Sequence, residues 1–243
     1  MNRLIQAVLF DLGDTLMFSP APWPSIFERA GRALSEMLSS NGVKIDADTF
    51  HQDFLDQLGR YYADRDRNLI ETTTLAVLQE LLSTKKQTDY SETLLRSALN
   101  EFYAVTQQNW QLEQDAALTL SMLQKAGFRL GMISNAGDDW DVQNQVINFG
   151  IRPFFDFVLT SASCGYRKPH PHIFSLALSK WGYMPDEIAM VGDRLDADIA
   201  GARPLGIYTI WIKRRASKLH SNTVIPDVIV DSLVEIPDIL KLA

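Results

Sequence analysis

The fold class is indicated first by the stretch Ala7-Val8-Leu9-Phe10-Asp11-Leu12-Gly13-Asp14-Thr15-Leu16. Four consecutive apolar residues followed by an acidic, glycine-containing loop are typical of a buried parallel strand and its carboxyl end. Open α/β sheets form their ligand crevice at the carboxyl ends of the strands, which is where the first aspartate of this loop stands. Asp11 is therefore the first candidate for a functional side chain.

Three later stretches repeat this order of an apolar segment followed by polar residues. They are Met132 to Asn135 (MISN), Gly165 to Pro169 (GYRKP) and Met190 to Asp198 (MVGDRLDAD). Each alone has an ordinary interpretation, such as a helix N-cap, a solvated lysine or acids in the first turn of a helix. Their common position at strand ends instead predicts one site that joins two acidic clusters, a hydroxyl and a lysine, a combination suited to phosphoryl transfer.

Beyond residue 115 the apolar pattern alternates between helical and strand periods. It predicts helices at 116–125, 139–149, 171–181, 196–204 and 233–242, and strands at 128–133, 157–160, 187–191, 207–212 and 227–230. Repeated β-α units predict an α/β fold, namely a doubly wound parallel sheet of the Rossmann-like kind with right-handed crossovers.

The segment between the first strand and this series has a different pattern. Residues 17–110 show long helical periodicity with no strand-like run of β-branched residues. We therefore predict two domains, an α/β core made of residues 1–16 and 111–243 and an inserted all-helical domain at 17–110. We expect the inserted domain to act as a cap that selects the substrate.

Composition limits the classes of partner. The net charge of −7 argues against a nucleic-acid partner, and the one basic run, residues 213–218, is expected to be a short solvated loop. The single cysteine, Cys164, excludes an intrachain disulfide. The sequence shows no signal-peptide pattern and no apolar run long enough for a membrane span, so we expect a cytoplasmic protein without a membrane partner.

The four stretches, taken together and in this order, resemble the motifs of the haloacid-dehalogenase superfamily of hydrolases. The resemblance rests on Asp11 to Thr15, Ser134-Asn135, Lys168-Pro169 and Gly192 to Asp198, and it extends over nearly the whole chain. It implies a core with a helical cap inserted after the first strand, and a small phosphorylated molecule as the substrate.

The residue types also make chemical sense at such a site. Asp11 and Asp193 could share a Mg²⁺ ion, which would remove the repulsion between a carboxylate and a phosphate dianion. Lys168, Ser134 and the backbone N–H of Asn135 could bind phosphoryl oxygens. The resemblance implies that Asp11 attacks phosphorus to form an aspartyl-phosphate.

The same resemblance assigns supporting roles to three further positions. It implies that Asp198 orients Lys168 and the metal side of the site, and that Thr15 braces the nucleophile loop within the phosphate-binding set. It also implies that the backbone carbonyl at position 13 is a metal ligand.

Position 13 departs from the family pattern, because phosphatases of this kind usually carry there an aspartate that acts as general acid and base. Gly13 lacks that side chain, and a positioned acid–base group typically contributes about 10²- to 10⁴-fold in rate. Asp14 is the neighbouring candidate to replace it, provided that the loop directs its side chain into the site.

Three functions remain open at this point. The first is a Mg²⁺-dependent phosphatase for a small phosphorylated metabolite. The second is a 2-haloacid dehalogenase, whose halide leaving group needs neither a metal nor a proton donor, although Asp193 in its Gly-Asp setting favours phosphate. The third is a phosphate-ester-binding protein with little turnover, because Gly13 replaces the usual acid and base.

Overall fold

The computed structural model describes residues 4–215 and 224–242, apart from the side chains of Asp66 and Leu242. The chain divides into two compact units, one formed by Met1–Phe18 with Leu112–Ala243 and the other by Ser19–Gln111. The first boundary falls two residues beyond the predicted one, and the second falls one residue beyond it.

The first unit is an α/β domain. Its strands are β1 (Ala7–Phe10), β2 (Met17–Phe18), β3 (Gln111–Leu112, which begins at the boundary), β4 (Arg129–Ser134), β5 (Phe157–Thr160), β6 (Ile188–Gly192), β7 (Tyr208–Ile212) and β8 (Val228–Val230). Six of them form one sheet in the order β5-β4-β1-β6-β7-β8, while β2 pairs with β3. Every neighbouring pair of the six-stranded sheet is parallel. The predicted fold class is confirmed.

Strand β1 lies in the middle of this sheet, between β4 and β6. All four of its residues are buried, as expected for a central parallel strand that is covered on both faces. The strand order reverses beside β1, and in open α/β sheets such a switch point opens a crevice at the carboxyl ends of the strands. The loops after β1, β4 and β6 therefore converge.

Helices cover the sheet of this unit. They are α5 (Ala116–Lys125), α6 (Asp139–Asn148), α7 (Ser161–Cys164), α8 (Pro171–Leu178), α9 (Ala200–Ala202) and α10 (Ile236–Leu242). Helix α8 ends three residues before the predicted end at 181. The predicted helix 196–204 is instead a π-helical turn over Leu195–Ile199, followed by α9 and a 3₁₀ turn over Arg203–Leu205.

The second unit is helical. It contains α1 (Trp23–Ser40), α2 (Ala47–Asn68), α3 (Thr74–Thr84) and α4 (Glu92–Gln107). Asp46, Thr73 and Ser91 each accept a backbone N–H at a helix start, which fixes where α2, α3 and α4 begin. The apolar faces of the helices enclose one core, in which Leu34, Phe54 and Leu99 are fully buried.

Within residues 4–215 and 224–242, no helix combines the length and the apolar character that crossing a bilayer requires. Residues 216–218 of the basic run lie outside the described residues.

Candidate active site

Asp11 begins the loop that follows β1. Its backbone N–H donates to the carbonyl of Val191 at 2.9 Å, which ties the start of the loop to the end of β6. The side chain is largely buried, with Oδ1 lying 2.6 Å from the ammonium of Lys168. A carboxylate held by a buried lysine at a strand end is fixed in position while its second oxygen stays available to a ligand.

Lys168 is the cation at the centre of this site. Its Nζ donates to Asp11 Oδ1 at 2.6 Å and to the carbonyl of Ile133 at 2.7 Å, and it forms an ion pair of 2.7 Å with Asp198 Oδ1. Burial lowers the pKa of Lys168, but the two carboxylates outweigh burial and leave the pKa raised. The side chain is therefore an ammonium at every physiological pH.

Asn135 holds the backbone of Lys168 in place. Its Nδ2 donates to the carbonyl of Lys168 at 2.9 Å, and its Oδ1 accepts the backbone N–H of Lys168 at 2.7 Å. Ser134 precedes it as the last residue of β4 and is buried. The sequence predicted a backbone role for Asn135 toward phosphate, and it missed this pairing because the two residues are 33 positions apart.

Asp193 and Asp198 lie beyond the end of β6. The π-helical turn at Leu195–Ile199 directs Asp198 back, so that its Oδ2 accepts the backbone N–H of Arg194 at 3.0 Å. A Cβ on Gly192 would lie 2.3 Å from the carboxyl carbon of Asp198, so only glycine permits this approach. The adjacent carbonyl of Asp193 accepts the indole N–H of Trp211 at 2.7 Å.

The three acids form one buried cluster. Asp11, Asp193 and Asp198 each offer an oxygen within 4.8 Å of the others. Burial, together with the carboxylates of Asp11 and Asp198, raises the pKa of Asp193 to about 9. Burial also raises the pKa of Asp198 to about 6, although Lys168 opposes this shift.

This donor set fits a hard divalent cation. Carboxylate oxygens are the ligands that Mg²⁺ prefers, and a cation would relieve the mutual repulsion that keeps the pKa of Asp193 high. Both oxygens of Asp198 already have partners, namely Lys168 and the N–H of Arg194. Asp11 and Asp193 are therefore the better candidates for ligands, while Asp198 holds the ammonium of Lys168.

The loop between Asp11 and β2 contains two further candidate residues, Asp14 and Thr15, which differ in exposure. Asp14 adopts a left-handed backbone with φ of 55°, a conformation that aspartate tolerates, and its side chain is exposed. Desolvation by nearby protein atoms nevertheless raises the pKa of Asp14, and the charge of Arg215 opposes this shift. Thr15 is fully buried, and its hydroxyl has no hydrogen-bond partner among the described residues.

The described part of the basic run, residues 213–215, is a loop in which Lys213 and Arg215 are exposed, as expected, but its arginines also pair with acids of the same unit. Arg214 Nη1 lies 3.0 Å from both carboxylate oxygens of Asp115, and Arg215 Nε donates to Glu113 Oε1 at 2.7 Å. The guanidinium of Arg215 also stacks over the ring of Phe18 at 3.7 Å. The acidic partners are about a hundred positions away, so no local pattern could reveal them.

Comparison with known proteins agrees with this geometry. The family model "haloacid dehalogenase-like hydrolase" matches residues 5–206. A glyceraldehyde 3-phosphate phosphatase from Methanopyrus kandleri is 28% identical over 245 residues, which cover 98% of each chain. A ribulose-1,5-bisphosphate 5-phosphatase from Halopiger xanaduensis is 30% identical over 209 residues, covering 84% of this chain and 83% of the relative.

Solved structures share the fold. A 2-haloacid dehalogenase from Pseudomonas syringae pv. Tomato DC3000 superimposes with a TM-score of 0.71 at 24% identity, over 98% of each chain. A phosphatase from Thermococcus onnurineus gives a TM-score of 0.65 at 24% identity, over 98% of this chain and 99% of the other. At this identity the superpositions establish the architecture and leave the reaction to be argued from the site.

Proposed function

Since the chain belongs to the haloacid dehalogenase-like hydrolases, we propose that it is a Mg²⁺-dependent phosphatase that acts on a small phosphorylated metabolite. The observation that carries this proposal is the buried cluster of Asp11, Asp193 and Asp198, in which the ammonium of Lys168 pairs with Asp11 and Asp198. A site with buried acids in excess over its lysine suits a cation and a bound dianion together. An enzyme that displaced halide from carbon would need no such excess.

Asp11 is proposed as the nucleophile. One of its carboxylate oxygens forms a bond to phosphorus while the bond from phosphorus to the ester oxygen breaks, and the leaving oxygen takes up a proton. Water then attacks the aspartyl-phosphate and releases inorganic phosphate, which regenerates the carboxylate. The 2.6 Å contact with Lys168 orients the carboxylate for both steps.

The groups that bind the phosphoryl oxygens are proposed from the same strand ends. Lys168, the hydroxyl of Ser134 and the backbone N–H of Asn135 supply positive charge and hydrogen-bond donors. We keep Thr15 in this set because its buried hydroxyl lacks a partner among the described residues. Asp11, the backbone carbonyl of Gly13 and Asp193 would hold Mg²⁺, whose charge would offset that of the phosphate dianion.

The proton donor differs from the usual one of the family, because position 13 is a glycine. Gly13 offers no side chain, so we assign the acid–base role to the neighbouring Asp14, whose charge lies near enough to contribute to the raised pKa of Asp193. Replacing Asp14 with asparagine should lower the rate much more for an alkyl phosphate, which needs a protonated leaving group, than for an aryl phosphate. Equal losses for both substrates would remove Asp14 from this role.

The helical unit, residues 19–111, is proposed to select the substrate. It is inserted only eight positions after Asp11, so the chain passes directly from the nucleophile loop into it. Glyceraldehyde 3-phosphate and ribulose 1,5-bisphosphate are suitable first substrates, because relatives carry their names. Phosphoserine is a third, because a phosphoserine phosphatase from Thermus thermophilus is 31% identical over 48% of this chain.

The decisive experiment is a screen of these esters, other phosphorylated metabolites and an aryl phosphate, with Mg²⁺ and with EDTA. We expect phosphate release that requires Mg²⁺ and one preferred ester. Halide release from 2-haloacids that persists in EDTA would establish a dehalogenase instead. Tight binding of phosphate esters without Mg²⁺-stimulated hydrolysis would establish a binding protein.

A further inference from the structure

A cavity of about 380 Å³ opens between α1 and α2 within the helical unit. Its wall is mainly apolar, formed by Phe27, Leu55, Leu58 and Tyr62. Phe27, Leu55 and Tyr62 pack against the helical core with one side and stay partly exposed on the other. Both the volume and the lining are typical of a site for a small organic molecule.

Gly59 widens this cavity at a measurable cost to the helix. It lies in the interior of α2, where glycine is less favourable than alanine by about 1 kcal/mol. A Cβ at this position would meet no atom within 4 Å, whereas a Cβ on Gly31 of α1 would lie 3.3 Å from the Cβ of His51. Packing of the two helices therefore favours glycine at position 31 but not at position 59, where its effect is to leave the cavity open.

Glu28 gives the cavity a charged rim. Its Oε1 accepts from Arg32 Nη2 at 2.7 Å and lies 3.0 Å from His51 Nε2. The hydrogen bond from Arg32 lowers the pKa of Glu28, so the carboxylate is ionised. Its other oxygen, Oε2, accepts no hydrogen bond from the residues that the structure describes.

Gln52 adds a second acceptor to the same rim. Its Nε2 donates to Asp56 Oδ1 at 2.8 Å, while its amide oxygen accepts no hydrogen bond from the residues that the structure describes. The rim thus offers two oxygens that lack a donor among these residues, one of them on a carboxylate. Such a rim favours a ligand with several hydrogen-bond donors and a positive charge.

We propose that this cavity binds a small molecule that has an aromatic or branched apolar body and a primary ammonium group. The body occupies the apolar wall between Phe27 and Leu58, and the ammonium binds Glu28 Oε2 and the amide oxygen of Gln52. An anionic ligand of the same shape is repelled by the ionised carboxylate. The inference concerns the helical unit alone and does not depend on the proposed phosphatase activity.

The test is isothermal titration of the full-length chain with 2-phenylethylamine and with 3-phenylpropionate, which has a similar body and the opposite charge. We expect saturable one-to-one binding of the amine, with the acid bound weaker by about tenfold or more. Gly59→Leu should abolish binding of the amine by filling the cavity. Gly59→Ala is the matched control, because it gives a similar gain in helix propensity with little added volume and should retain binding.

If Gly59→Leu does not fold, Glu28→Gln provides an independent test of the proposal. Glu28→Gln should lower the affinity for 2-phenylethylamine to that for 2-phenylethanol, a loss of about tenfold. The proposal is overturned by no binding, by equal affinity for amine and acid, or by unchanged binding in Gly59→Leu. It is also overturned if sedimentation shows a dimer that Gly59→Leu dissociates, because a second copy would then occupy the cavity.

Discussion

The two units bury carboxylates in opposite ways. In the helical unit the fully buried side chain of Glu71 accepts the hydroxyl of Tyr61 and lies 3.7 Å from the guanidinium of Arg65, so its charge is matched by local partners. In the α/β unit, three acids are buried together, and the ammonium of Lys168 pairs with two of them, Asp11 and Asp198. A fold that needed only stability would balance such charges, because an unpaired buried charge is expensive.

The two sets of buried acids differ in whether the surrounding protein balances their charge. Glu71 is explained by the structure around it, and nothing beyond the helical unit is required to stabilise its charge. The cluster of Asp11, Asp193 and Asp198 has no such balance: burial and mutual repulsion raise the pKa of Asp193 to about 9, and the proposed cation would remove this repulsion. The difference between the two units can be tested by four changes to the acid cluster and its loop.

Asp11→Asn should have the largest effect, because it removes the nucleophile and keeps the shape of the side chain. We expect turnover to fall by about 10³-fold or more with the fold intact, measured as Mg²⁺-dependent phosphate release and by circular dichroism. Asp156→Asn is the matched control, since that acid pairs with Arg129 away from the cluster and should alter the rate less than about twofold. Full activity in Asp11→Asn would refute the assignment of the nucleophile.

Lys168→Met should destabilise the protein strongly, because it leaves three buried acids with no cation. Removing one partner of a buried ion pair typically lowers the free energy of unfolding by about 3–5 kcal/mol, which urea titration would measure. The comparison predicts a smaller loss for Arg65→Met, because Glu71 keeps its hydrogen bond from Tyr61. Similar losses in the two variants would contradict the contrast between the units.

Magnesium should stabilise the folded protein through the acid cluster. At a hundred times its dissociation constant, a ligand that binds only the native state adds about 2.7 kcal/mol, visible as a higher melting temperature. Asp193→Asn should raise the melting temperature of the metal-free protein by relieving repulsion, and it should remove most of the response to Mg²⁺. A response of wild-type size in this variant would place the ion elsewhere.

Gly13→Asp should have the smallest effect of the four and the opposite sign. Supplying the missing acid–base group should raise the rate by about tenfold to a hundredfold with an alkyl phosphate, and by less with an aryl phosphate. Gly13→Asn controls for the added volume. A rate that stays equal or falls would show that protonation of the leaving group does not limit turnover in this protein.

Local patterns predicted most of the α/β fold, because buried strands and amphipathic helices each show a recognisable apolar pattern within a few residues. Helix 116–125 and strand 157–160 have the predicted bounds. Helix 171–181 ends early at Leu178, and Trp181 instead donates its indole N–H to Asp156. That contact joins distant parts of the chain, and no local period encodes it.

The candidate site shows the same division between local and distant information. The order of motifs led to Asp11, Lys168 and Asp193, which the fold brings together. The resemblance also implied that Asp198 orients Lys168, and the two side chains form an ion pair. The amide of Asn135 on the backbone of Lys168 and the π-helical form of the turn that contains Asp198 are tertiary features, so the pattern could not predict them. Hydrophobic periodicity gave an ordinary helix where this turn forms.

The proposed mechanism depends on covalent phosphorylation of Asp11, which mass spectrometry after acid quenching would detect. The protein would be mixed with Mg²⁺ and its best phosphate ester, quenched during turnover and digested. We expect the peptide containing Asp11 to gain the mass of one phosphoryl group, and we expect no such gain with EDTA. A phosphoryl group on another residue, or rapid turnover with none on Asp11, would contradict it.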